Sequence, residues 1–179
     1  MNLLELAKKR YSVRGYLPKP IEKEKLDYIL ECGRVAPTGV NAQPQRILVV
    51  NTPDGMEKMA KAAGIPDLYN APCAIIICAE TECSWVRKYD EHNIYEIDAT
   101  IVTDHMILAA TEQGLGSLWM CRFKPDIIRN EFNIPKEYVP VNVLLLGYTA
   151  PDALYKSPER HDAENMRKPI SETVSYDTF

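Results

Sequence analysis

The chain has 179 residues, of which 46% are apolar and 26% charged, and a formal net charge of -4. This length and mixture predict one globular domain, residues 1–179, with a large core. The acidic balance argues against a general nucleic-acid binder, which needs a basic face. No apolar run approaches the roughly 20 residues of a membrane span, and Glu5 stands where a signal peptide places basic or apolar residues. We therefore expect a cytoplasmic protein that binds neither nucleic acid nor membrane.

Hydrophobic periodicity, with Gly and Pro as breaks, divides the chain into helices and strands. Predicted helices cover residues 3–9, 22–35, 56–63, 94–113 and 126–132, and predicted strands cover residues 46–50, 74–79, 117–120 and 141–146. The helix over 94–113 is apolar on most sides, which predicts deep burial. Few strands among long helices predict a sheet sandwiched by helices, an α+β or α/β three-layer domain. We expect residues 148–165 to form a surface loop or arm, and residues 166–179 to dock on the same domain or on a partner subunit.

The five cysteines form an odd set without a Cys-x-x-Cys pair: Cys32, Cys73, Cys78, Cys83 and Cys121. Cys73 and Cys78 enclose a β-branched apolar run, and their odd separation puts the two side chains on opposite faces of a strand. Because buried cysteine behaves as a small hydrophobe, this pattern favours core packing over a metal site or a disulfide.

Residues 10–14, Arg-Tyr-Ser-Val-Arg, lie in a stretch predicted to be extended, and we call them the basic segment. An extended chain has a period of two, so Arg10, Ser12 and Arg14 point to one side. Two guanidinium groups flanking a hydroxyl suit a phosphate, because arginine offers a fixed fork of donors. The alternative is that the basic side chains only complement the C-terminal dipole of the first helix.

Residues 36–44, Ala-Pro-Thr-Gly-Val-Asn-Ala-Gln-Pro, connect a predicted helix to a predicted strand, and we call them the amide loop. Pro and Gly favour a rigid connection that presents backbone N–H groups and the amides of Asn41 and Gln43. Such amides suit the recognition of a flat heterocycle, because each offers a donor and an acceptor. The alternative is an Asx-turn loop without a ligand.

Gly114 and Gly116 have the spacing of the first two glycines in a dinucleotide-binding fingerprint. However, Trp119 holds the third glycine position, and the pattern follows a helix and opens a strand, the reverse of the Rossmann order. This argues against a Rossmann-type nicotinamide-binding domain. The glycines instead predict that a strand begins close to another backbone.

In this order, four segments are similar to motifs of the nitroreductase family of flavin-dependent oxidoreductases. They are residues 10–14, residues 36–44, the stretch from Asp98-Ala99 through Ala109-Ala110 to residues 114–119, and residues 167–174. The resemblance spans nearly the whole chain. It implies an α+β, three-layer α-β-α domain with a mostly antiparallel central sheet. It also implies a homodimer with the flavin in the interface and C-terminal arms, about residues 166–179, exchanged between subunits.

The resemblance further implies where FMN binds. The basic segment would hold the phosphate and ribityl chain, the amide loop would lie beside the flavin ring, and the strand after Gly114 would pass flavin N5. The implied cofactor-binding residues are Arg10, Tyr11, Ser12, Arg14, Pro37, Thr38, Asn41, Gln43, Met120, Cys121, Arg167 and Lys168. Arg160 rivals Arg167 for the phosphate, and Gln45 replaces a tryptophan that the family commonly has.

The implied activity is reduction of nitroaromatics, quinones or related acceptors by NADH or NADPH, in a ping-pong hydride transfer through flavin N5. This scheme requires no catalytic side-chain acid or base and no metal, and Asp98 and Asp104 are predicted to be polar or capping partners on the long helix. One alternative is a specialised flavin reductase or dehalogenase on the same scaffold. Another is a flavin-binding protein without turnover.

Overall fold

The computed structural model describes residues 2–154 and 166–179. The helices are α1 (Leu3–Lys9), α2 (Lys23–Arg34), α3 (Pro53–Ala63), α4 (Tyr95–Glu112), α5 (Pro125–Glu131) and α6 (Ile170–Thr173). The strands are β1 (Arg14–Tyr16), β2 (Gln45–Val50), β3 (Cys73–Glu80), β4 (Val86–Arg87), β5 (His92–Asn93), β6 (Gly116–Met120), β7 (Tyr138–Gly147) and β8 (Thr149–Leu154). Every predicted helix and strand is present, with ends that differ by a few residues.

The central sheet has four antiparallel strands in the order β2-β3-β7-β6. In the middle of β3, Ile76 pairs with Leu48 of β2 on one side and with Val143 of β7 on the other. Both faces of β3 are buried, which explains why its sequence is a continuous apolar run rather than an alternation.

Helices cover both faces of this sheet. On one face Ile76 packs in a core with Met59 of α3. On the other face Ile75 packs in a second core with Ile29 of α2 and Met106 of α4. The result is the three-layer α+β domain with an antiparallel sheet that the sequence and the resemblance predict, and this prediction is confirmed.

Cys73 and Cys78 occupy the two different cores, on opposite faces of β3, as their odd separation predicts. Burial raises the pKa of the Cys73 thiol to about 12 and that of the Cys78 thiol to about 11. Both side chains therefore act as neutral, small apolar groups in the core.

The 18-residue α4 is the longest helix that the structure describes, and it extends about 27 Å. It lies between the sheet and α2, with Val102 and Met106 fully buried. The two helices approach closely at Gly33, where a Cβ would lie only 2.8 Å from Met106 Cγ. This packing buries the side of α4 that carries Val102 and Met106, whereas Thr100 and Asp104 lie on its exposed side.

A second, two-stranded sheet lies at the β6 edge of the central sheet. β1 pairs there with β8 in antiparallel fashion, and Ser12 forms a parallel bridge with Ser117 of β6. The prediction of a surface loop over residues 148–165 is therefore wrong for Thr149–Leu154, because these residues find their hydrogen-bonding partner at the opposite end of the chain.

The C-terminal segment, residues 166–179, contains the short α6 and buries none of its residues in this chain. Its large apolar side chains, among them Ile170, Tyr176 and Phe179, are exposed. In the part of the chain that the structure describes, no helix is both long and apolar enough to cross a membrane.

Candidate functional site

The basic segment runs along the outer edge of β6. Tyr11 and Val13 pack into the core on the α3 side of the sheet, and the Val13 N–H donates to the Ser117 carbonyl at 2.9 Å. By the period of two, Arg10, Ser12 and Arg14 are expected to point away from these residues, and this orientation stays a prediction.

A pocket of about 210 Å³ opens at the start of β6 beside the basic segment. Among the described residues, those that line it are Lys9, Arg10, Tyr11, Val13, Thr111, Gly114, Leu115, Gly116, Ser117 and Thr149. None of them is acidic, and Arg10 forms no ion pair with any residue in the ranges 2–154 and 166–179. The pocket thus has the positive charge and the hydroxyl groups that suit a phosphate.

Gly116 allows β6 to begin directly against the basic segment. A Cβ at this position would lie 2.7 Å from Val13 Cγ2 and 2.7 Å from Thr149 Oγ1. The prediction that these glycines let a strand start close to another backbone holds for Gly116. Gly114 has a different role, since its φ of 75° places it in the left-handed region past the end of α4.

The direction of the basic segment relates the pocket to the far end of β6. Because residues 12 and 117 pair in parallel, Arg14 lies further along β6 than Arg10, towards Met120. Met120 is buried and the following Cys121 is exposed. The predicted phosphate-binding and N5-edge residues therefore follow one another along a single edge of the sheet.

The amide loop has an unusual backbone. Val40, Asn41 and Gln43 have φ angles of 47°, 59° and 51°, in the left-handed region that costs a non-glycine residue about 1 to 2 kcal/mol. The Thr38 hydroxyl accepts the Gln43 N–H at 3.0 Å and helps to hold this conformation. The side chains of Asn41 and Gln43 are exposed.

Two hydrogen bonds to other elements fix the amide loop, one at Gly39 within it and one at its last residue, Pro44. The Gly39 N–H donates to Asp98 Oδ1 in the first turn of α4 at 2.9 Å, and the Glu80 N–H at the end of β3 donates to the Pro44 carbonyl at 2.9 Å. Asp98 is thus a polar partner, as predicted, although its partner is the loop rather than its own helix.

One chain does not bring the amide loop to the basic pocket. The loop is tied to Asp98 near the start of α4, whereas Thr111 near the end of α4 lines the pocket. At about 1.5 Å per residue, these two positions are about 20 Å apart along the helix. The two groups of predicted site residues therefore lie at opposite ends of the same helix.

Arg167 and Lys168 are exposed and do not line the pocket. Their assignment to the phosphate stays a prediction, and their rival Arg160 lies outside the described residues.

Several residues that line the pocket were not among the predicted cofactor-binding residues, including Lys9, Thr111 and Thr149. Lys9 could have been found, because it directly precedes the basic segment. Thr111 and Thr149 carried no local signal, because the chain fold brings both to the pocket, Thr149 from the strand that pairs with β1.

The features above define the class of this protein, an antiparallel three-layer α+β domain with a basic pocket at the sheet edge. A profile of the nitroreductase family matches residues 7–66 and 65–148, which include the basic segment, the amide loop, α4 and β6. The chain belongs to the nitroreductase family, as the sequence motifs indicate.

Individual relatives agree with this assignment. A solved nitroreductase family protein from Clostridium difficile 630 is 50% identical with a TM-score of 0.91, and 100% of each chain is covered. A solved FMN-dependent nitroreductase from Clostridium difficile R20291 is 28% identical with a TM-score of 0.76, over 99% of this chain and 100% of that chain. A Bacillus subtilis (strain 168) protein named FMN reductase (NAD(P)H) is 25% identical over 173 residues, which cover 88% of this chain and 70% of the relative.

Proposed function

We propose that the protein is an FMN-dependent oxidoreductase that uses NADH or NADPH to reduce nitroaromatic, quinone or related acceptors. The observation that carries the proposal is the pocket at the start of β6, where the described lining residues include Lys9 and Arg10 and no acidic group. Met120 lies at the other end of the same strand, with Cys121 directly after it. The names of two relatives, an FMN-dependent nitroreductase and an FMN reductase, support the same cofactor.

The residues of this edge fit a phosphorylated flavin. Arg10 and Ser12 are assigned to the phosphate and ribityl chain, with Lys9 as a further cation at the pocket. Arg14, further along β6, would place positive charge at the ring, where it stabilises negative charge that develops during reduction. FMN, when bound, supplies the two-electron chemistry between the nicotinamide and the acceptor.

The chain's own part is binding and orientation. Among the described residues that line the pocket there is no histidine and no carboxylate. The backbone at Met120 and Cys121 is assigned to the N5 edge of the ring, where its main-chain groups would help to hold and orient the flavin. The proposed arrangement assigns no step to a side-chain acid or base.

We assign the second half of each site to another copy of the chain. Because the amide loop lies about 20 Å from the basic pocket along α4, it would serve the flavin of a partner subunit. The exposed apolar side chains of residues 166–179 fit the predicted arm that crosses to that partner, with Arg167 or Lys168 reaching a phosphate.

Purification of the chain tests this function. We expect a yellow protein that releases FMN on denaturation and whose visible absorption near 450 nm is bleached by NADH or NADPH without oxygen. Addition of a quinone or a nitroaromatic compound should restore the colour. A protein that stays colourless after incubation with FMN would contradict the proposal.

The same preparation separates the alternatives. Flavin that neither nicotinamide bleaches would indicate a binding protein without turnover. Turnover with free FMN as the acceptor, but not with quinones or nitroaromatics, would indicate a flavin reductase, the activity named for the Bacillus subtilis relative.

A further inference from the structure

Asp98 is a buried carboxylate to which the flavin chemistry assigns no role. The side chain is only 1% exposed, in the first turn of α4. Oδ1 accepts the Gly39 N–H at 2.9 Å, whereas Oδ2 is buried without a partner among the described residues. A buried carboxylate that leaves one oxygen unpaired costs stability, so stabilisation of the fold does not explain it.

A favourable interaction with the helix dipole does not explain the burial either. The exposed Glu96 already supplies an acid in the first turn of α4, and such an interaction needs no desolvation. The contact that distinguishes Asp98 is the one to Gly39.

Gly39 begins the part of the amide loop with left-handed backbone. Val40 and Asn41 follow directly, and the other polar contacts around them lie within the loop, from the Asn41 N–H to the Thr38 carbonyl and from the Ala42 N–H to the Gly39 carbonyl. Within the described residues, Asp98 is therefore the polar group that ties the start of this strained stretch to a rigid element.

Close packing around Gly39 accompanies its hydrogen bond to Asp98. A Cβ at Gly39 would lie 2.5 Å from Ile94 Cδ1 and 3.3 Å from Trp85 Cβ, so the loop lies close against the residue that precedes α4. Contact alone leaves the loop free to slide, whereas a hydrogen bond to a buried carboxylate fixes the peptide plane of Gly39 and the amides that follow it.

We propose that Asp98 is a positioning residue for the flavin ring: its carboxylate sets the conformation of the amide loop that presents Asn41 and Gln43 to the cofactor. This inference rests on the proposed function. It adds a residue from α4 that acts through the loop, without contact to flavin or acceptor.

Two nearly isosteric variants test the role of the acceptor oxygen. Asp98→Asn retains an oxygen that accepts the Gly39 N–H, whereas Asp98→Leu fills the same space without an acceptor. We expect Asp98→Leu to weaken FMN binding on the order of tenfold and to change the visible circular dichroism of the bound flavin, while Asp98→Asn stays within about threefold of the unaltered protein. The control pair is Asp104→Asn and Asp104→Leu on the exposed side of the same helix, where neither change should alter FMN affinity or the spectrum.

Amide hydrogen exchange of the cofactor-free protein provides a readout that does not depend on FMN. The Gly39 to Gln43 amides should exchange at least tenfold faster in Asp98→Leu than in Asp98→Asn, at a temperature where both variants are folded. Equal exchange in the two variants, or an unchanged flavin affinity and spectrum in Asp98→Leu, would overturn the positioning role. If the loop amides exchange faster in Asp98→Leu but the unaltered protein binds no FMN, Asp98 still orders the loop and the proposed function is refuted.

Discussion

At the residue scale, the predicted phosphate site depends on the direction in which the side chains of the basic segment point. The conformation of the backbone in this segment sets that direction. Tyr11 and Val13 pack against the core, and an extended backbone would turn Arg10, Ser12 and Arg14 away from it. This alternation was predictable, because it needs only the extended backbone and the apolar character of two residues.

The backbone conformation of the amide loop, in contrast, could not be predicted from the sequence. Val40 is β-branched and intrinsically avoids positive φ, yet it adopts a φ of 47° in the amide loop. No sequence pattern predicts this conformation, because it is stabilised by tertiary contacts. The preceding Gly39 contacts Asp98 and Ile94, and further hydrogen bonds form within the loop. The composition of the loop was predictable, but its strain was not.

Replacement of Arg10 by alanine tests the phosphate assignment. Loss of a charged hydrogen bond to phosphate should weaken FMN binding by about 1.5 to 3 kcal/mol, roughly 10- to 150-fold. Fluorescence quenching of free FMN on binding measures this change, and added salt should reduce the difference because it screens the charge. The control is Arg34→Ala on α2, which removes an exposed arginine paired with Glu31. Equal FMN affinity in the Arg10 and Arg34 variants would refute the assignment.

At the element scale, strands with a strong apolar pattern were predictable and strands that depend on distant pairing were not. β3 carries the run Cys-Ala-Ile-Ile-Ile-Cys-Ala, which only a strand buried on both faces accommodates in this fold. β8 contains Pro151 and Asp152, which favour a loop, and its strand conformation comes from pairing with residues 14–16 at the other end of the chain.

A hydrogen-bond network joins α2, the end of α4 and the turn between β7 and β8. The Tyr148 hydroxyl donates to Glu22 Oε2 at 2.5 Å and accepts from Lys25 Nζ at 2.9 Å, and Lys25 also donates to the Gln113 carbonyl. Gln113 directly precedes Gly114, which lines the pocket, so the network stabilises the backbone beside the pocket. The Tyr148 hydroxyl is the main cause that lowers the pKa of Glu22 to about 2.

Tyr148→Phe should therefore lower stability in a pH-dependent manner. A lowered pKa in the folded state means that the ionised Glu22 stabilises the fold above its ordinary pKa, 4.5, and that this contribution is lost as the pH falls towards 2. We expect the urea midpoint of the variant to be lower at pH 7 and to approach that of the unaltered protein as the pH is lowered below 4.5. Tyr89→Phe, at a tyrosine that is 98% exposed, is the control. A difference that stays constant with pH would contradict the role of Glu22.

At the scale of the whole molecule, the two groups of predicted cofactor-binding residues contact opposite ends of α4, about 20 Å apart along the helix. This separation was not derivable from motif order alone, because it depends on the length of α4 and on which end of it each group contacts. The resemblance implied a dimer, and the proposed function combines the basic segment of one chain with the amide loop of the other.

Mixed dimers test this form. Chains with Arg10→Ala paired with chains with Asn41→Ala and Gln43→Ala should form one intact site, because one chain keeps its basic segment and its partner keeps its loop. Chains that carry all three changes, paired with unaltered chains, should form none. FMN per purified mixed dimer measures both cases, with a different affinity tag on each chain. The reverse result would mean that each site is built within a single chain.

The position of α4 between the two groups has a consequence for dissociation. In the proposed dimer each α4 belongs to two sites at once, because one end anchors the loop beside one flavin and the other end lines the phosphate pocket of the second. Separated subunits are then expected to be inactive, rather than to keep half of the activity each. A lone chain carries two incomplete halves, each belonging to a different site.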